Sequence, residues 1–157
     1  MRNNQFTERN RISLCLPALS VNEGVARSAV AAFCAQQDPS ATELADVKCA
    51  VSEAVTNCIV HAYRGTVGMI YITVVLSHEG GVRIVIKDKG CGIPDVRQAR
   101  EPLFTTDAVS ERSGMGFTVM ENFMDRLDVY SKQERGTLVV MHKRLGRGSS
   151  EGTAGKE

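Results

Sequence analysis

The segment Ser52-Glu53-Ala54-Val55-Thr56-Asn57 sets a carboxylate and a carboxamide one helical turn apart. At that spacing Asn57 offers an oxygen to a hard cation such as Mg²⁺, and Glu53 can take a proton from a nucleophile. Such a pair also decorates solvated helix faces, so its meaning depends on two further segments. In Asp88-Lys89-Gly90-Cys91-Gly92-Ile93 a carboxylate closes a predicted strand, and two glycines turn the backbone sharply after it. A carboxylate there can accept a hydrogen bond from the exocyclic amine of adenine, while the glycines let the backbone lie close to a flat ring. In Ser113-Gly114-Met115-Gly116-Phe117 the glycines open a predicted helix, whose unpaired N–H groups and positive dipole end favour phosphate. Taken in order, the three segments supply what a magnesium-ATP phosphotransfer site requires.

The elements that must hold these residues are legible from periodicity. Arg11 to Leu16 alternates polar and apolar residues before Pro17, as a half-buried strand does. Val21, Val25, Ala29, Ala32 and Phe33 recur at helical spacing from Val21 to Gln37, and Asp38-Pro39 ends the run. Ser40 with Glu43 is a capping-box pattern that starts a second helix, predicted to continue to about Tyr63. Its apolar stripe is Leu44, Val47, Val51, Ala54, Val55, Cys58 and Ala62, and Glu53, Asn57 and His61 form a polar file along one side. Met69–Ser77 and Val82–Asp88 read as a hairpin around His78-Glu79-Gly80-Gly81. Residues 89–113 read as a long functional loop with one helical turn over 95–100, able to close as a lid. A helix over 116–124 and a second hairpin, 126–131 with 137–143, complete an α+β sandwich: a mostly antiparallel sheet covered on one face by helices.

With 157 residues the chain is expected to form a single domain over 1–145, with a Gly/Ser/Lys/Glu-rich tail over 146–157 that is expected to be disordered. A net charge of +1 gives no general pull toward nucleic acid or an anionic membrane, so no direct DNA binding is expected. No apolar run reaches the roughly 18 residues of a membrane span, and the polar start Met1-Arg2-Asn3-Asn4-Gln5 lacks a signal-peptide core. A cytoplasmic protein is expected. Cys15, Cys34, Cys49, Cys58 and Cys91 contain no Cys-x-x-Cys pair and read as reduced, small hydrophobes.

The Glu-x-x-x-Asn helix, the Asp-x-Gly-x-Gly-Ile turn and the Gly-x-Gly-Phe segment resemble the three boxes of the GHKL ATPase and kinase superfamily, which uses the Bergerat fold. Ser52 to Asn57, Glu101-Pro102-Leu103-Phe104-Thr105-Thr106 and the stretch Arg112 to Asp125 are more closely similar to the anti-sigma serine kinases of sporulating bacteria. The resemblance implies Glu53 as catalytic base, Asn57 as magnesium ligand, Asp88 as adenine reader, and Gly90, Gly92 and Ile93 as the adenine-side turn. It assigns Thr105, Thr106, Ser113, Gly114, Met115, Gly116 and Phe117 to the lid and phosphate contacts, and Thr137 to completion of the adenine site. Arg112, beside the cradle, is placed to reach the γ-phosphate. Arg27 resembles a partner-docking arginine, although an exposed i,i+4 pair with Glu23 accounts for it equally well. Ala62 and Cys91 depart from or vary within the family pattern without removing a chemical role.

The implied cofactors are ATP or ADP with Mg²⁺. The implied partners are a sporulation sigma factor, sigma-F, and an anti-anti-sigma factor phosphorylated on serine, with the kinase acting as a homodimer. A two-component histidine kinase would need an acceptor histidine on a helical hairpin ahead of the domain, and His61, His78 and His142 all fall elsewhere. A general-stress anti-sigma kinase, a nucleotide-gated sigma-binding module and a simple ATPase are the alternatives.

Overall fold

The computed structural model describes residues 5–102 and 115–146. In chain order the elements are β1 (Glu8–Pro17), α1 (Val21–Cys34), α2 (Ala41–Asn57), β2 (Met69–Ser77), β3 (Gly81–Lys87), α3 (Val96–Ala99), α4 (Gly116–Phe123), β4 (Arg126–Lys132) and β5 (Gly136–Arg144). The five strands form one antiparallel sheet in the order β1-β2-β3-β5-β4. Strand alternation decides which face is covered. Leu14, Ile72, Ile86, Val139 and Val129 share one cross-strand row, and Ile12, Val74, Ile84, Met141 and Leu127 the next. These rows pack under the helices, where Ile72, Val74, Ile84, Ile86 and Met141 are buried. Removing so many aliphatic side chains from water is the main driving force for joining the two layers.

Helix α2 lies between α1 and α4. It starts as the sequence predicts: the Ser40 hydroxyl accepts from Glu43 N at 3.1 Å, and Glu43 Oε2 accepts from Ser40 N at 2.9 Å. Its α geometry ends at Asn57, earlier than Tyr63, and widens into a π turn over Cys58–Ala62. The freed carbonyls are captured from outside the helix. Cys91 N donates to Ala62 O at 2.9 Å, and the Cys91 thiol lies 3.3 Å from His61 O. A wide turn whose carbonyls are taken by another segment is a recurrent feature of functional sites.

Two sequence expectations need correction. In α1 the buried positions are Ala26, Val30, Ala31 and Cys34, whereas Val21 and Val25 are exposed, at 78% and 53%. Apolar residues occupy two sides of this helix, and the smaller set wins the core because small side chains let α1 approach α2 closely. The second strand of the first hairpin ends at Lys87, which leaves Asp88 as the first residue beyond it. The other predicted elements stand within a few residues of their expected bounds, including a one-turn α3 inside the long loop. Of the expected tail only Gly146 is described, and its N–H donates to Glu43 Oε2 at 3.0 Å.

Candidate nucleotide site

The first and third segments meet at a glycine. A Cβ added to Gly116 would lie 3.3 Å from Glu53 Oε2 and 3.4 Å from both amide atoms of Asn57. The N-terminus of α4 therefore closes directly over the carboxylate and carboxamide of α2. Met115, at the N-cap of α4, gives no side-chain cap, and the first turn carries no acidic residue. The N–H groups of that turn and the positive end of the dipole favour an anion. Met115 precedes the helix, its carbonyl accepting from Val119 N at 2.8 Å, while Phe117 is anchored in the core. Thr105, Thr106, Arg112, Ser113 and Gly114 lie outside the described residues.

The second segment is wedged between two backbones, and its glycines are needed on opposite sides. A Cβ on Gly90 would overlap Ala62 at the end of the π turn, and one on Gly92 would overlap the Lys132 carbonyl of the β4–β5 loop. Gly92 also has φ +73°, which favours glycine. Glu134 N donates to Cys91 O at 2.7 Å, fastening that loop to the turn, and Ile93 N donates to Ser131 Oγ at 2.7 Å. The close approach that the sequence suggested for a ligand ring is thus already required by the protein's own backbone.

Asp88 is buried, with only 5% of its surface exposed. Its Oδ1 accepts from Gly90 N at 2.9 Å and Thr137 N at 3.2 Å, and the Cys58 thiol lies 3.6 Å from Oδ2. Burial raises the Asp88 carboxyl above its ordinary value, an effect only partly offset by donation from Gly90, Thr137 and Cys58. Burial, with the neighbouring Asp88 charge, also drives the Cys58 thiol upward. Thr137 and Ser131 share a hydroxyl–hydroxyl contact of 2.8 Å, so Thr137 meets Asp88 through its backbone and Ser131 through its side chain.

Three contributors escaped the sequence reading. Tyr63 donates to Met69 O at 2.6 Å and accepts from Lys89 N at 2.8 Å, tying the end of the α2 region to β2 and to the adenine-side turn. Ser131 holds Ile93 and Thr137, and Cys58 faces Asp88. Only the Cys58 position in the α2 stripe hinted at any of these contacts. Arg27, on α1, is paired with Glu23 at 3.7 Å, and Glu23 in turn receives the hydroxyl of Ser52, the neighbour of Glu53.

Mg²⁺ suits the donor set, since the Asn57 carboxamide supplies a hard oxygen beside the N-terminal end of α4, where phosphates would sit. The structure thus brings the Glu53 carboxylate and the Asn57 carboxamide against the start of α4, and sets a buried carboxylate, Asp88, at the end of β3.

Comparison with known proteins places the fold and the family. Residues 16–143 match the family described as histidine kinase-like ATPase domain. The chain is 51% identical over 138 residues to the anti-sigma F factor of Bacillus thuringiensis strain Al Hakam, covering 87% of this chain and 94% of that protein. The anti-sigma F factor of Bacillus mycoides strain KBAB4 gives the same identity and coverage. Among solved structures, the RsbU and RsbW domains of Rv1364c from Mycobacterium tuberculosis share the fold, with a TM-score of 0.68 at 20% identity. That likeness covers 92% of this chain and 35% of the mycobacterial one, so the chain spans about a third of that protein's length. With the family match over residues 16–143 and 51% identity across most of the chain, on a five-stranded antiparallel sheet under a helix layer, the chain belongs to the anti-sigma F factor family, within the histidine kinase-like ATPase domains.

Proposed function

We propose that this protein is a cytoplasmic anti-sigma factor that holds a sporulation sigma factor, sigma-F, inactive and, as an ATP-dependent serine kinase, phosphorylates the cognate anti-anti-sigma factor. The observation that carries the catalytic part is the closure of Gly116 over Glu53 and Asn57. An ATP whose phosphates rest on the N-terminus of α4 would present its γ-phosphoryl group beside both side chains. Asp88 accepts the adenine amine, and Gly136 and Thr137 hold Asp88 from the opposite side. Glu53 orients the seryl hydroxyl of the incoming protein and takes its proton as the oxygen attacks phosphorus. Mg²⁺ held by Asn57 and the phosphates would offset the charge on the phosphate oxygens. Thr105, Thr106, Arg112, Ser113 and Gly114 complete the phosphate contacts in this reading, with Arg112 directed at the γ-phosphate.

Partner docking is assigned to α1. Arg27 is partly exposed there, and the same helix and its entry leave Leu19, Val21 and Val25 apolar and accessible. The family resemblance supports a homodimer, with residues 1–145 as one domain and 146–157 as a tail. The test is to incubate the full-length protein with Mg²⁺, γ-labelled ATP and candidate anti-anti-sigma proteins. Label is expected on one serine of the cognate partner. Phosphate release with no label on protein would overturn the kinase reading in favour of simple hydrolysis.

A further inference from the structure

Cys58 follows Asn57 directly in sequence, yet it serves the other end of the site. It opens the π turn, is 4% exposed, and directs its sulfur at Asp88 Oδ2. Asp88 Oδ1 is occupied by two backbone N–H groups, from Gly90 and Thr137. Oδ2 is the oxygen left for the exocyclic amine, and the thiol is the side-chain contact described for it. An S–H group is a weak donor, but beside a buried carboxylate it removes one of the orientations that Oδ2 could otherwise take.

We propose that Cys58 is a specificity-determining positioning residue: its thiol donates to Asp88 Oδ2 and fixes the carboxylate so that a remaining lone pair points at the 6-amino group of a purine. The inference rests on Asp88 being the adenine acceptor. It assigns to the thiol a part of the discrimination between a 6-amino and a 6-oxo purine. A carboxylate held in one orientation rejects a 6-oxo group, because two acceptors would face each other without a proton between them. Without the thiol, the carboxylate can turn aside or admit a water that donates to the 6-oxo oxygen. Selectivity falls even though Asp88 is still present.

The geometry separates this role from packing. Alanine and serine are both smaller than cysteine and differ in that only serine keeps a donor, whereas valine is larger and has none. The experiment measures equilibrium binding of ATP and of inosine triphosphate, which carries a 6-oxo group, to the full-length wild type and to C58V, C58A, C58S and D88A. Circular dichroism melts identify the variants that are folded. The wild type is expected to prefer ATP. C58S should keep that preference within about twofold, and C58V and C58A should each lower it by about fivefold, mainly through weaker ATP binding. A wild-type preference in the folded donor-free variants would overturn the proposal. So would a C58S preference as low as that of C58A, since lost volume rather than the lost donor would then be the cause. An unchanged ATP preference in D88A would instead overturn the assignment of Asp88 on which the inference stands.

Discussion

At the scale of single residues, the site depends on a buried acid kept ready to accept. Asp88 carries its charge at 5% exposure, and burial raises its pKa above the ordinary 3.8 despite donation from Gly90, Thr137 and Cys58. In the proposed site the amine of adenine donates to Asp88, which makes the ionised carboxylate the binding form, so ATP affinity should weaken as pH falls through the raised value. Fold stability moves the other way across that window. The folded state holds the Asp88 proton more tightly than the unfolded chain, so stability contributed by this group grows as pH falls from the folded value toward 3.8. Titrating a fluorescent ATP analogue from pH 7.5 downward checks the first statement, and an affinity that rises on acidification would contradict it. Glu53, Asn57 and Asp88 could be found in the sequence because each polar residue borders an apolar run that fixes its place on an element. Tyr63, Ser131 and Cys58 could not, because their partners, Lys89, Ile93 and Asp88, lie 26, 38 and 30 residues away.

At the scale of elements, glycines decide how closely the turns may stack. Gly136 opens β5 at φ +95°, and a Cβ there would overlap the Asp88 carbonyl. The overlapped atom is backbone, so the neighbour cannot rotate away. Gly136→Ala should destabilise the fold by about 2–4 kcal/mol and weaken ATP binding, read by urea unfolding and nucleotide titration. Its cost comes from both the φ value and the overlap, which is why Gly136 was legible only as a turn residue before the approach of Asp88 was known. The capping box at Ser40 and Glu43 was legible in full, since its signal and its contacts lie within four residues. The π turn at Cys58–Ala62 was hidden because the apolar stripe continues through it, and the residue that bonds its carbonyls, Cys91, lies some thirty positions on.

At the scale of the whole molecule, the two hairpins follow from local turn chemistry, but the central β3–β5 pairing spans the long loop and α4. No local pattern encodes that register, and it is what carries Thr137 to Asp88. On the sheet face away from the helices, His142 sits edge-on to Phe6 at 6.4 Å between Arg83 and Arg126. Burial, then Arg83 and Arg126, lowers its pKa below 6.5, with Asp128 opposing. The unfolded chain then binds this proton more readily, so the His142 contribution is fully present above pH 6.5 and is lost as pH falls through the folded value. Urea midpoints at pH 7.5 and 5.5 should differ less in His142→Asn than in the wild type, and an equal or larger difference would contradict the assignment. The account of the whole molecule nevertheless turns on Glu53, where sigma-factor binding and phosphoryl transfer part company. The most direct measurement is single-turnover transfer from labelled ATP to the anti-anti-sigma factor by Glu53→Gln, with ATP and sigma-F binding measured on the same preparation. The account predicts transfer slowed by at least about 100-fold with both affinities kept within a few-fold. Transfer at the wild-type rate would contradict it.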